Sequence, residues 1–282
     1  MRGGSGRRLR VALEIRLIKE IRIVVDQQSW TSAPPGYRKT CPFPVSAFDS
    51  DINFGRAMLR VGMMSVSPRM PQWWVASYWA VLRYFAAVDE TVTVLRLHEA
   101  VDDLDTHPKK VLSDDWGTGV AIEWLDARFQ YQQVVHGMSA MRELQSLGVA
   151  KFAGKKKRGP QKCPDFLCED SAGMLHLVEC KGNQQGTNAS EDQFIQGRLQ
   201  KANVLFGNEQ LVGQRMVTGL AIANPKSNWN TTLTLTDPPP EDSGDNDPII
   251  VIGNVPNIRV GRLDIDGTLP TLILERYRFL RS

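Results

Sequence analysis

The chain has 282 residues, of which 23% are charged and 42% hydrophobic, and a formal net charge of +3. This places it with ordinary globular proteins, with apolar material for one large domain or two small ones, and the net charge is too small to imply a partner by itself. The four cysteines, Cys41, Cys163, Cys168 and Cys180, are too few and too irregularly spaced for a disulfide framework and suit a reducing cytoplasm.

The N-terminus opens on a basic run (Arg2, Arg7, Arg8, Arg10), but Glu14, Arg16, Lys19, Glu20 and Arg22 interrupt every apolar stretch that follows, so no signal-peptide core is formed. Val11, Leu13, Ile15 and Leu17 alternate as in a strand, although the charges after them also permit a helix. Residues 29–50, with Pro34, Pro35, Pro42 and Pro44, read as irregular chain. The aromatic stretch from Pro71 to Val88 is about one turn short of a bilayer span and contains Arg83, so it is expected to be a buried or interface helix rather than a membrane segment. Thr91–Leu97 alternates β-branched residues as a strand does, and Asp102–Lys110, polar and carrying Pro108, reads as a loop or domain boundary.

From about residue 117, Val120, Ile122, Trp124, Leu125, Phe129, Val134, Val135, Met138, Met141, Leu144 and Leu147 recur at mostly helical spacing. They predict one long helix, or two broken near His136-Gly137, stopped by Gly148. Val149–Phe152 begins a short strand. Asp165-Phe-Leu-Cys168 and Met174–Cys180 flank a turn at Asp170-Ser-Ala-Gly173 and predict a β-hairpin. Glu191–Phe206 returns to helical periodicity, and Val217–Ala223 is a further strand. Helix, strand, hairpin, helix and strand in that order describe an α/β core with a mixed sheet. Four regions follow: an N-terminal α+β region at 1–110, a core at 111–236, an acidic proline-rich linker at 237–248, and C-terminal strands or a small appendage at 249–282.

The chemistry concentrates in Pro164-Asp165-Phe-Leu and Leu175-His-Leu-Val-Glu179-Cys-Lys181-Gly182. On a strand Leu175, Leu177, Glu179 and Lys181 share one face, and His176, Val178 and Cys180 the other. An apolar strand whose end presents a carboxylate and an ammonium on one face suits a site better than a core. Asp165 and Glu179 are 14 residues apart, and the hairpin folds that distance back on itself. Two converging carboxylates repel unless a cation lies between them, and their hard oxygens suit Mg²⁺ or Mn²⁺. Lys181 could orient or deprotonate a water, or offset negative charge. The bland reading is a turn aspartate and a surface ion pair of little energy.

These residues resemble the PD-(D/E)xK motif of the restriction-endonuclease-like nuclease superfamily, including the apolar residues after the Asp and before the Glu and the Gly after the Lys. The similarity spans residues 117–223. It implies a restriction-endonuclease-like core with a mixed central β-sheet flanked by helices, and a Mg²⁺-dependent nuclease hydrolysing phosphodiester bonds of DNA in restriction, defence, repair or mobile-element processing. The metal would be held by Asp165, Glu179 and the backbone carbonyl of Cys180. A further acid on the preceding helix would be Glu123, with Glu143 as its competitor, and a polar residue on the following helix would be Gln193, Gln196 or Gln200. The same fold with a degenerate site, binding nucleic acid or a protein without cutting, is the alternative reading.

Residues 151–162 carry six positive charges and no acid. Lys155, Lys156, Lys157, Arg158 and Lys162 beside a carboxylate site are expected to grip a phosphodiester backbone without sequence readout; a solvated loop is the plainer view. Cys163-x4-Cys168 lacks the second ligand pair zinc needs. His176 is expected in the core, and Trp73, Trp74 and Trp79 in a core or homodimer interface, although they could stack bases. The expected setting is the cytoplasm, with DNA as partner and no membrane.

Overall fold

In the computed structural model, the residues described are 17–31, 39–66, 71–152, 163–187, 189, 194, 204–206 and 211–237. The elements in chain order are β1 (Ile18–Val25), α1 (Gln27–Thr31), β2 (Phe48–Asn53), α2 (Phe54–Ser65), α3 (Trp73–Ala76), α4 (Trp79–Tyr84), α5 (Thr106–Phe129), β3 (Gln133–His136), α6 (Gly137–Ser146), β4 (Ala150–Phe152), β5 (Phe166–Glu169), β6 (Leu175–Asn183), β7 (Val204–Phe206), β8 (Val212–Ala221) and β9 (Thr232–Thr236). They build an α/β molecule around a mixed seven-stranded sheet of order β2-β1-β9-β8-β6-β5-β3, with β4 and β7 as a separate antiparallel pair.

Alternation drives the strands. In β1, Ile21, Ile23 and Val25 are buried while Glu20 and Arg22 face outward, and Arg22 pairs across the antiparallel ladder with Asp49 at 3.2 Å. Two parallel contacts, β1 with β9 and β6 with β8, join the antiparallel pairs. The β8 strand is buried at nearly every position, as expected of a strand covered on both faces. Helix α5 lies on β6 and β8, and α2 packs on α5. The ring of Trp116 meets Phe54 of α2 at 4.6 Å between centroids.

Several sequence expectations change. The first 110 residues are not a separate region, because β1 and β2 complete the same sheet and β9 lies between β1 and β8. The predicted 71–88 helix is broken into α3, α4 and a 3-10 turn at Phe85–Ala87. No helix among the described residues is long and apolar enough to cross a membrane.

Thr91–Leu97 forms only isolated bridges, Glu20 with Val94 and Val88 with Leu97. Asp89 explains this: its Oδ1 accepts the Thr91 backbone N–H at 3.0 Å and hydroxyl at 2.6 Å, its Oδ2 pairs with Arg96 at 2.5 Å, and the buried Lys19 ammonium donates to its carbonyl at 2.8 Å. The chain is tied into a loop before a ladder can extend.

Pro108 falls in the first turn of α5, where its missing N–H costs nothing, so the expected boundary at 102–110 is the start of the longest helix. The helical pattern of 117–147 is two helices with β3 between them, and the first ends at Gln130 in the left-handed conformation (φ 52°). Val204–Phe206, expected to end a helix, is a strand paired with β4. Most of 191–203, and residues 238–282, lie outside the described residues.

Candidate active site

The site is built on the hairpin of β5 and β6. Its turn is shaped by Asp170, whose Oδ1 accepts the N–H groups of Ala172 at 2.8 Å and Met174 at 2.9 Å, and by Gly173 at φ +79°, a conformation natural to glycine. The ladder pairs Phe166 with Val178, so one step outward Asp165 stands opposite Glu179. Directly opposed residues of an antiparallel pair project their side chains to the same face. The two acids are therefore neighbours.

Hydrogen bonds lock this arrangement. The Asp165 N–H donates to Glu179 Oε2 at 3.0 Å, and the Cys180 N–H donates to Asp165 Oδ2 at 2.9 Å. A strand residue points its N–H and C=O to the same edge, so the Cys180 carbonyl also turns toward Asp165. Thr218 of β8 donates to the Glu179 carbonyl at 3.2 Å from the other side. Lys181 forms an ion pair with Glu179 Oε1.

Glu179 is fully buried, and its pKa is pushed up to about 7, first by burial and then by the charge of Asp165, against the pull of Lys181. Burial likewise raises Asp165, opposed by the Cys180 N–H and by Lys181. For Lys181, burial works against the charge, but Glu179 and Asp165 outweigh it and raise its pKa, so the ammonium stays protonated. Cys163, just before the motif, is pushed up to about 12 by burial and by the two acids, and remains a thiol.

The other face of β6 holds the scaffold. Helix α5 crosses it so closely that a Cβ on Gly117 would lie 2.6 Å from the Lys181 carbonyl oxygen, and one on Gly182 would lie 1.8 Å from that of Ser113. His176 is buried at the far end of the strand, 4.4 Å from the Phe129 ring and 3.0 Å from Asp170 Oδ2, in the core position expected for it.

The crossing sets the two acids of α5 in different surroundings. Asp114, one turn ahead of Gly117, is exposed, and its pKa is raised by burial on its protein side. Lys110, Lys181, Asp115 and Asp165 all act on its charge, so it stands within electrostatic reach of two site residues. Glu123, the acid expected from sequence, lies about 13 Å further along the helix axis. It is committed there to Arg56 at 3.2 Å and Arg60 at 2.5 Å, in a buried group that also holds Asp126. That ion pairing corrects the sequence expectation: Glu123 fastens α2 to α5. Glu143 lies on α6, with no described interaction between its side chain and Asp165 or Glu179. Sequence reading missed Asp114 because it placed the helix start too late, and the crossing that brings this turn of α5 onto β6 depends on Gly117 and Gly182 meeting in the fold.

Lys155, Lys156, Lys157, Arg158 and Lys162, and Gln193, Gln196 and Gln200, lie outside the described residues. Among the described residues, no group of three or more His, Cys, Asp or Glu side chains is arranged to hold a metal ion. The cluster consists of two carboxylates and an ammonium paired with one of them. Comparison of the chain with family models, curated proteins and solved structures gives no match.

Proposed function

We propose that this chain is a divalent-metal-dependent nuclease, a hydrolase of phosphodiester bonds in DNA, with a restriction-endonuclease-like core. The observation that carries the reading is the cross-strand pair of carboxylates, half-buried Asp165 and fully buried Glu179, with the Asp165 N–H donating to Glu179, the Cys180 N–H donating to Asp165, and a protonated Lys181 alongside. When both acids are charged, the single ammonium of Lys181 balances one of the two charges, and the other calls for a further cation.

The donor set fits Mg²⁺ or Mn²⁺. Asp165, Glu179 and the Cys180 carbonyl are hard oxygen donors, and the buried Glu179 Oε1 has the Lys181 ammonium as its described partner. When bound, a divalent ion supplies Lewis acidity at a phosphoryl oxygen. Asp165, Glu179 and the Cys180 carbonyl would hold such an ion. Lys181, protonated in this setting, offsets negative charge developing on the phosphoryl oxygens rather than accepting a proton. Asp114 is exposed and has a raised pKa, which suits a group that takes the proton from an attacking water. Water oxygen bonds to phosphorus, the phosphorus–oxygen bond to the leaving strand breaks, and the departing oxygen is protonated from solvent.

The test is scission of plasmid DNA with Mg²⁺ or Mn²⁺, with EDTA as control. Wild type is expected to cut, and D165A, E179A and K181A to lose activity while keeping the wild-type circular dichroism spectrum. Binding of DNA without scission under all metal conditions would replace this reading with that of a non-cutting nucleic-acid-binding module.

A further inference from the structure

Helices α3 and α4 present a surface unlike an ordinary solvated helix face. Val75 and Leu82 are 48% and 79% exposed, Trp73 and Trp79 are half-buried, and Arg83 stands among them, exposed. The Arg83 guanidinium lies 5.4 Å from the Tyr84 ring centroid and 6.0 Å from that of Trp79, and no hydrogen bond or ion pair to another described residue claims it. The surface is anchored from beneath. Gly62 of α2 is packed so tightly that a Cβ there would meet the Ser77 carbonyl oxygen at 1.7 Å. Tyr84, 1% exposed, hydrogen-bonds through its hydroxyl to Asp115. Asp115 adjoins Asp114, so the aromatic surface is tied to the helix that packs on the strand carrying Glu179 and Lys181.

From this placement we infer that Trp79 and Arg83 form a stacking platform for an unpaired nucleobase a few nucleotides from the bond to be cut, so that the preferred substrate has a single-stranded segment. The inference deepens the nuclease reading and rests on its nucleic-acid substrate. The chemistry matches on both counts. A base offers a flat apolar face to the indole, and its phosphodiester offers an anion to an unclaimed guanidinium. A base inside a duplex has both faces covered and offers neither indole nor guanidinium a stacking surface. A second copy of the chain fits less well, because the side chains of this surface among the described residues, about five, fall far short of the roughly 20–30 residues a side of a stable interface.

The test measures binding before cutting. The full-length chain, in EDTA, is titrated with a labelled DNA strand of about 12 nucleotides, with the same strand carrying abasic positions, and with its blunt duplex. Wild type is expected to prefer the single strand, with quenching of tryptophan fluorescence. W79A and R83A are expected to weaken that binding about tenfold while leaving duplex binding unchanged. The abasic strand should bind weakly and be insensitive to W79A. Equal affinity of wild type and W79A for the single strand, or an equal W79A loss on the abasic strand, would overturn the platform.

A change of sedimentation in L82S would assign the face to self-association instead, and flotation of wild type but not L82S with anionic vesicles would assign it to a lipid surface. Either result, without a W79A effect on strand binding, overturns the inference. Failure here is separable from failure of the nuclease reading. Strand binding through Trp79 without metal-dependent scission keeps the platform and removes the enzyme. Scission of all substrates by W79A at the wild-type rate keeps the enzyme and removes the platform.

Discussion

Asp165 and Glu179 show what burying one acid beside another costs a protein. With a folded-state pKa near 7 against an ordinary 4.5, Glu179 holds a proton in the folded chain that the unfolded chain releases. Its contribution to stability is therefore present below about pH 4.5 and is lost as pH rises through about 7. Metal-free protein is expected to unfold at lower temperature at pH 8 than at pH 5.5, by calorimetry in EDTA. D165N should recover on the order of 2 kcal/mol at pH 8, since it removes the neighbouring charge yet keeps an oxygen for the Cys180 N–H. A D165N melting point below wild type at pH 8 would contradict this account of the repulsion. The helix acids separate in the same way. D114N is expected to slow metal-dependent scission by about 100-fold with an unchanged melting point. E123Q should lower the melting point and leave the rate alone, because Glu123 serves Arg56 and Arg60. The reverse pattern would return Glu123 to the site.

At the scale of elements, the β5–β6 hairpin was legible because its determinants are local: apolar alternation, a turn built on Asp170 and Gly173, and a polar strand end. The α5 crossing was not, since two glycines 65 positions apart in the chain, Gly117 and Gly182, cooperate only when folded. Their replacement separates crowding from backbone strain. G182A would place a methyl group against the Ser113 carbonyl and is expected to cost at least about 2 kcal/mol in urea denaturation. G148A has open space around it, and only φ +70° opposes it, so about 1 kcal/mol is expected. Equal costs would mean that the crossing is looser than its geometry indicates.

At the scale of the whole molecule, the sheet ignores the boundary that composition suggested near residue 110. The Thr232–Thr236 strand, a plain alternation of threonine and leucine that sequence reading passed over, joins β1 to β8 and so binds the two halves into one core. Its Leu233 and Leu235 are completely buried. A fragment of residues 111–282 would lose β1, β2 and α2 and expose one edge of β9. It is expected to lack the dispersed amide NMR spectrum of a folded chain, whereas independent folding of that fragment would restore the boundary.

The amino-acid sequence alone determined the hairpin, the shared face of Asp165, Glu179 and Lys181, and the buried place of His176, because side-chain alternation and turn chemistry act over a few residues. Tertiary structure alone decided that Glu123 is an ion-pair anchor, that Asp114 comes within electrostatic reach of Lys181 and Asp165, and that the N-terminal strands belong to the same sheet. Those outcomes depend on which helix glycines meet which strand carbonyls and which arginines reach which acids. Such contacts bring together residues far apart in the chain, and no local pattern encodes them.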